Sequence, residues 1–245
     1  MTFAPTSGAV ISEITALGPF FALHTHAPDS KPVEAWVPMS RQLIEARVSA
    51  VRGWLAAAGE QPLDAIEVRV AASVTHLGLA SRLLSPALAA FVLHGRLLTF
   101  GLSDVHWQPV LGGPVPLSVP GTAVSTGTVA PKELTAFLDG PLGELAAAMR
   151  PFSLSSHILQ GNVASALNGA ATMIAAARPE LTERTRSTVT LLLDSPPLRD
   201  SATTTSNGAF RRRSCCLIYR AAPGHKGSLC GDCVLHRDAG GARGH

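Results

Sequence analysis

All four cysteines of this 245-residue chain lie within 19 residues near its C-terminus. Cys215 and Cys216 are adjacent, and Cys230 and Cys233 follow after a spacer of thirteen residues. Four thiolates this close together can complete the ligand set of a 2Fe-2S or 4Fe-4S cluster, or of one zinc ion. The cysteines therefore predict a metal centre, and they constrain how the surrounding segment can fold.

The adjacent pair is poorly suited to a disulfide within itself. Neighbouring Cα atoms lie ~3.8 Å apart, whereas disulfide-linked Cα atoms usually lie roughly 4.4–6.8 Å apart. Successive side chains of a regular strand also point to opposite faces. If Cys215 and Cys216 bind one centre, the backbone there must depart from strand geometry.

The spacing leaves three interpretations of the cysteines open. Structural zinc sites usually place at least two residues between the ligands of each knuckle, so an adjacent pair is atypical of them. A cluster with two irons spreads its ligands more widely, which favours iron–sulfur over zinc. Redox-active thiols are the third interpretation. His225 and His236 flank the later cysteines, but four cysteines already suffice as ligands.

The composition favours a helical body for the rest of the chain. Apolar residues make up 46% of the sequence and aromatic residues only 5%, with alanine and leucine dominant. Such a set favours close-packed helices over a β-sandwich. We expect a mainly α fold, α+β at most. Residues 1–200 should form a helical body that includes the substrate-binding region, and residues 201–245 a small cysteine-rich lobe with a basic tail.

Apolar spacing and capping residues predict the individual elements. A helix is expected from Pro38 to Ala58, where apolar residues recur at helical spacing before Gly59. Further helices are predicted at Leu63–Leu84, Ser85–Gly95, Pro131–Met149, Ser155–Arg178 and Pro179–Leu193. We also expect a short strand around His106 and Trp107, a long site-covering loop from Gly112 to Ala130, and extended structure with a turn over residues 203–208.

The sequence predicts a cytoplasmic protein. The N-terminus lacks a basic region followed by an apolar core, so we expect no signal peptide. No apolar run is expected to span a membrane, because the best candidate, Val163–Ala177, is interrupted by polar residues. Thiols are normally kept reduced in the cytoplasm, which argues against disulfides here.

The cysteine segment resembles the C-terminal signature of the FhuF family of ferric-siderophore reductases. The resemblance lies in the run FRRRSCCLIYR at Phe210–Arg220, followed by CGDC at Cys230–Cys233. Weaker similarity to the family lies in Leu159–Leu167 and His76–Pro86. The spacer between the two cysteine pairs is longer than is usual in the family. The resemblance implies a 2Fe-2S cluster, as opposed to zinc, bound by Cys215, Cys216, Cys230 and Cys233.

The resemblance also implies a function and partners. A protein of this family would reduce ferric iron in hydroxamate-type siderophore chelates by one-electron transfer and release ferrous iron. Its partners would be the ferric siderophore and a ferredoxin- or flavin-type electron donor. Peripheral association with the inner face of the membrane is a further expectation, and no nucleic acid is expected. No catalytic residue beyond the cluster is needed, because the cofactor carries the electron. The alternatives are a non-enzymatic zinc-binding module with a basic tail and a plain iron–sulfur electron carrier.

Basic residues surround the cysteines. Residues 211–245 include seven Lys or Arg and two Asp or Glu. Because a four-thiolate cluster is anionic, nearby guanidinium groups favour its reduced form and raise its potential. The candidates for such tuning, or for docking a partner, are Arg211, Arg212, Arg213 and Arg220. The competing interpretation is that these arginines only cap the body or keep the tail soluble.

One polar residue stands out in the predicted body. Asn162 lies within an otherwise apolar helical segment. Its side chain is expected either to face a partner segment or the substrate cavity, or to hydrogen-bond to packed backbone.

Overall fold

Helices dominate the structure, a computed structural model that describes residues 5–28, 30–33, 35–205 and 209–236. Helices account for 55% of the chain and strands for 8%, which confirms the mainly α fold. The α-helices are α1 Ser7–Thr15, α2 Arg41–Ala58, α3 Val68–His94, α4 Ala136–Asp139, α5 Pro141–Ala148, α6 Ser156–Ala177 and α7 Thr182–Asp194. The strands are β1 His24–His26, β2 Val37–Pro38, β3 His106–Trp107, β4 Leu117–Pro120, β5 Ala202–Thr204 and β6 Phe210–Arg212.

The core is built around α3 and α6, which form the most extensive helix pair. α2 and α1 pack against α3, and α7 packs against α6. α3 is apolar around its whole circumference, as expected of a helix enclosed by neighbours. Leu79, Leu83 and Leu88 are among its fully buried side chains.

α3 is one continuous helix, so the prediction of two helices, Leu63–Leu84 and Ser85–Gly95, is wrong. Pro86 lies inside it and cannot donate the usual backbone hydrogen bond, a change that costs roughly 3 kcal/mol in an isolated helix. The segment after Pro86 is nevertheless buried almost throughout, and this burial offsets the cost. The helix ends at Gly95, whose φ of 65° lies in the left-handed region that glycine tolerates.

By length and apolar composition α3 could cross a membrane, contrary to the expectation that no run is long enough. However, 78% of its most apolar 18-residue window is buried inside the protein. The enclosing helices α1, α2 and α6 therefore account for its apolar surface.

Capping residues fix several other helix boundaries. The predicted α2 is confirmed, and the Ser40 hydroxyl accepts a hydrogen bond from the backbone N–H of Leu43 at its start. α6 lies within its predicted segment, and α7 begins three residues after the predicted start and ends one residue beyond Leu193. The predicted helix over 131–149 is instead a 3-10 turn followed by α4 and α5, because the backbone at Gly140 leaves helical geometry. α1 was not predicted. Its N-terminus is capped by the Thr6 side chain.

A four-stranded sheet lies beside the helices in the order β1-β4-β3-β2. β1 and β4 are parallel, and the other two pairs are antiparallel. The strand predicted at His106 and Trp107 is confirmed as β3. The prediction of a loop over residues 112–130 is wrong for β4, where buried Leu117 and Val119 anchor the strand in the core.

A hairpin of β5 and β6 leads into the cysteine segment, with Ala202 paired to Arg212 and Thr204 to Phe210. The predicted extended structure is confirmed at Thr203 and Thr204, whereas residues 206–208 of the predicted turn lie outside the described residues. β6 packs against α6. The division of the chain between residues 200 and 201 stays a prediction.

Candidate metal centre

The first cysteine pair lies where the backbone leaves β6. The strand ends at Arg212, and a bend precedes Cys215 and Cys216. Leu217 then adopts a left-handed conformation with φ of 69° before a short 3-10 helix. The predicted departure of the pair from strand geometry is confirmed.

The fold brings the two distant cysteine pairs together. The Sγ atoms of Cys216 and Cys230 lie 3.6 Å apart, and all four cysteines are free thiols. The pKa of Cys215 is raised. Burial of its thiol is the largest cause, and the interaction with the Cys233 thiol raises the pKa further. Cys216 and Cys233 are buried, whereas Cys215 and Cys230 are partly exposed.

The first and second cysteine segments thus contact each other as two nested pairs, Cys216 with Cys230 through a short Sγ–Sγ distance and Cys215 with Cys233 through the interaction of their thiols. Within the described part of the chain, no group of three or more His, Cys, Asp or Glu side chains is arranged around a single point that could hold one metal ion. Two pairs of thiols suit a 2Fe-2S cluster, whose four cysteines are shared between two irons.

Hydrogen bonds to sulfur support the same interpretation. The backbone N–H of Leu217 donates to Cys215 Sγ at 3.3 Å, and that of Leu235 donates to Cys233 Sγ at 3.4 Å. Such bonds stabilise thiolate ligands and raise the reduction potential of iron–sulfur clusters. The turns after Cys215 and Cys233 therefore present donors to the sulfurs of both ligand segments.

In the Cys216–Cys230 pair, the surroundings favour the thiolate form of Cys216. The hydrogen bond with Cys230 is the largest cause that lowers the pKa of Cys216, to about 5, and the Arg212 guanidinium lowers it further. The pKa of Cys230 is raised, first of all because its thiol hydrogen bonds to Cys216. Because metal ligation requires thiolates, Cys216 is ready to bind at neutral pH.

A fully buried arginine lies directly behind these cysteines. Arg212 Nη2 donates to Cys230 Sγ at 3.2 Å, and Nη1 donates to the Asn162 side-chain oxygen at 2.8 Å. Burial alone would lower the pKa of Arg212, but the negative charges of Cys216, Cys230 and Asp232 raise it. A buried cation is costly unless anions surround it, so this position fits an anionic four-thiolate cluster.

Asn162 links Arg212 to the helical body. It is fully buried on α6, and its amide nitrogen donates to the Ser73 carbonyl at 3.1 Å and to the Ser73 hydroxyl at 3.2 Å on α3. The same nitrogen lies 3.4 Å from His76 Nδ1. Asn162 therefore faces a partner segment, the cysteine lobe, and bonds to packed backbone as well. It positions Arg212 and does not line the groove described below.

The other candidate arginines have different surroundings. Arg220 forms an ion pair with Glu67 on the helical body, with Nε and Oε1 2.7 Å apart. Arg213 is exposed, and Arg211 Nη1 donates to the His236 carbonyl oxygen. Their assignment to tuning or docking stays a prediction.

The two flanking histidines bond to backbone rather than to the cysteine sulfurs. His225 Nδ1 lies 2.8 Å from the Arg220 carbonyl oxygen, and His236 Nε2 lies 2.9 Å from the Cys230 carbonyl oxygen. The exclusion of His225 and His236 as ligands stays a prediction.

The close approach of the lobe to α6 was not predicted from the sequence. A Cβ added at Gly161 would lie 2.1 Å from Ser214 Oγ, so this glycine permits the close contact. The Ser165 hydroxyl donates to the Asp232 carboxylate at 2.6 Å. A small residue and a polar residue on one face of an apolar helix were the available signals for this contact.

A groove between α3 and α6 extends to the cysteine lobe. We call it the α3–α6 groove; its volume is about 460 Å³. Its lining residues are Phe20, Val74, Leu77, Gly78, Ser81, Ser85, Ser165, Ala166, Gly169, Ala170, Met173 and Asp232. Within the part of the chain that the structure describes, the lining includes one carboxylate and no Lys, Arg or His.

Comparison with known proteins identifies the cysteine segment. Residues 212–235 match the FhuF 2Fe-2S C-terminal domain, and the match includes all four cysteines and Arg212. No curated protein matches the chain. The match confirms the resemblance seen in the sequence and the choice of 2Fe-2S over zinc. Residues 212–235 are therefore similar to the FhuF 2Fe-2S C-terminal domain, and the cofactor of this chain is a 2Fe-2S cluster.

Proposed function

We propose that this protein is an oxidoreductase that reduces ferric iron in siderophore chelates of the hydroxamate type and releases ferrous iron. The observation that carries the proposal is the FhuF 2Fe-2S domain at residues 212–235. When bound, the cluster supplies one-electron oxidation and reduction. Fe²⁺ is less charge-dense than Fe³⁺, so oxygen-rich chelators hold the product less tightly.

The cysteine positions suit electron exchange with an external molecule. Buried Cys216 and Cys233 anchor the site to the lobe interior, whereas Cys215 and Cys230 remain partly exposed. Two of the four ligands are therefore accessible to solvent, which supports electron exchange with a molecule outside the lobe. Close approach matters because the substrate needs no proton transfer or covalent bond from the protein.

The residues behind the cysteines favour acceptance of an electron. Arg212 donates to Cys230 and is held in place by Asn162. Its buried positive charge stabilises the additional negative charge of the reduced site. The N–H groups of Leu217 and Leu235 act in the same direction.

We further propose a cytoplasmic location and an acidic electron donor of the ferredoxin or flavin type. Over residues 209–236 the chain carries five Lys or Arg and one acidic residue, Asp232. An excess of positive charge around the ligands steers an acidic protein towards them. Peripheral association with the inner face of the membrane would bring the protein close to imported chelates, and no nucleic acid partner is proposed.

Anaerobic mixing tests the proposal. Holoprotein is reduced with dithionite, freed of excess reductant, and mixed with a ferric tris-hydroxamate while its visible spectrum is followed. The oxidised spectrum should return as the chelate is consumed. A protein that stays reduced would leave a plain electron carrier as the better account, and a colourless protein containing zinc would contradict the cofactor as well.

A further inference from the structure

We propose that the ferric chelate docks in the α3–α6 groove, against Asp232 of the cysteine lobe. The inference rests on the proposed function and adds the place where the substrate binds. Asp232 lies between Cys230 and Cys233 in sequence, and we call residues 230–233 the ligand loop. The ligand loop therefore contributes to the lining of the groove.

The ligand loop is fixed to the groove on two sides. Ser165 of α6 donates to the Asp232 carboxylate, and the Asp232 carbonyl oxygen accepts a hydrogen bond from the Arg212 N–H at 3.0 Å. A molecule in the groove therefore meets a rigid part of the loop. This arrangement places a docked chelate against the segment that carries Cys230 and Cys233.

The size and lining of the groove suit a compact chelate. Its volume of about 460 Å³ lies within the range of roughly 300–1,000 Å³ that is typical of small-molecule sites. Phe20, Leu77 and Met173 provide apolar contact for methylene chains. Ser81 and Ser165 place hydroxyl oxygens along the same walls.

The charge of the groove selects among ferric chelates. Among the described residues that line it, Asp232 is the only ionisable one. Three singly charged hydroxamates balance the charge of Fe³⁺, whereas three catecholates leave the complex strongly anionic. Because like charges repel in a partly desolvated site, the groove accepts uncharged or cationic chelates and disfavours anionic ones.

Two glycines allow the groove to be filled without disturbing the fold. A Cβ added at Gly78 or at Gly169 meets no atom within 4 Å. Gly78→Leu and Gly169→Leu should therefore occupy the groove from opposite helices. Gly53→Leu on α2 is the matched control, since Gly53 is also a helix-interior glycine with nothing within 4 Å of an added Cβ.

Binding is measured on oxidised holoprotein with a gallium tris-hydroxamate, which has the shape and charge of the ferric chelate but accepts no electron. We expect each groove variant to raise Kd, and KM for the ferric chelate, by at least about tenfold, and Gly53→Leu to change them by less than about twofold. The absorption spectrum and reduction potential should be unchanged in all three variants. The gallium tris-catecholate should bind at least about a hundredfold more weakly than the hydroxamate.

The outcomes separate this inference from the proposed function. If both groove variants keep the Kd and KM of the wild type, the chelate does not bind in the groove. Equal affinity for the two gallium chelates would also contradict the groove as the binding site. Groove-dependent gallium binding by a protein that reduces no ferric chelate would support the groove and overturn the reductase.

Discussion

The Arg212 guanidinium lies 3.2 Å from Cys230 Sγ and is completely buried between the cysteine lobe and α6. This contact joins the site to the helical body, because the same guanidinium bonds to Asn162. A cation at this position stabilises thiolate ligands and acts most strongly on the more negative, reduced state of the site.

Removal of the buried cation should lower the reduction potential. Arg212→Gln is expected to shift the midpoint by on the order of −60 mV, which corresponds to about 1.4 kcal/mol for one electron. Potentiometric titration of the holoprotein measures the shift. Arg213→Gln removes the same charge from the exposed neighbouring position and should shift the potential by less than about 20 mV, because solvent screens it. Equal shifts in the two variants would show that net charge, not the buried contact, sets the potential.

Asn162 should contribute to stability through its buried hydrogen bonds. Asn162→Ala removes the buried hydrogen bonds that Asn162 forms with Arg212 Nη1 and with Ser73, at a cost of about 2–3 kcal/mol in the free energy of unfolding. Asn168→Ala removes the same amide from a partly exposed position on the same helix and should cost less than about 1 kcal/mol. Denaturant titration of both holoproteins checks the difference. Indistinguishable midpoints would argue against a bridging role for Asn162.

Gly161 should be required for close contact between the lobe and α6. Gly161→Ala places a Cβ 2.1 Å from Ser214 Oγ, so the Ser214 side chain must rotate or the lobe must shift; after the helix-propensity gain of alanine we expect a net loss of about 1 kcal/mol in stability together with weaker cluster retention. The double variant Gly161→Ala/Ser214→Ala should recover most of the loss, because the nearest remaining contact is an ordinary 3.4 Å to the Ser214 Cβ. A double-mutant cycle without coupling between the two positions would contradict the contact.

His76 should make the protein sensitive to acid. Burial lowers the pKa of His76 to about 4, against an ordinary value of 6.5. The unfolded chain therefore binds more protons than the folded chain between those values, so stability is complete above pH 6.5 and falls as the pH decreases towards 4. The total loss is about 3 kcal/mol.

Unfolding titrations between pH 7 and pH 4.5 test this dependence. His76→Gln keeps a hydrogen-bond acceptor near Asn162 but carries no titratable group, and it should flatten this part of the stability profile. Identical slopes in the two proteins would assign the acid sensitivity to other groups, such as the ligand thiols.

Local chemistry explains what the sequence could predict. Four cysteines confined to 19 residues indicate a metal site in any fold, and their family signature selects the cluster. Capping residues such as Ser40 and Ser155 mark helix starts through contacts within three residues. Asn162 was recognised because an amide inside an apolar helix needs partners.

Long-range contacts explain what the sequence could not predict. The bonds from Asn162 to Ser73 and from Ser165 to Asp232 join residues 89 and 67 positions apart, so they depend on how α3, α6 and the lobe pack. Pro86 was taken as part of a helix start because its local preference was visible and the burial of the surrounding helix was not. β4 was not predicted for a similar reason, because it forms a strand through pairing with β1 and β3, and this pairing is visible only in the folded sheet.

In the proposed reaction one electron passes from the reduced protein to each ferric chelate. Its most direct test is an anaerobic titration of reduced holoprotein with a ferric tris-hydroxamate in the presence of a chromogenic Fe²⁺ chelator. The account predicts about one ferrous ion released for each reduced cluster, since a 2Fe-2S centre carries one electron. Reduced holoprotein that releases no ferrous iron under these conditions would contradict it.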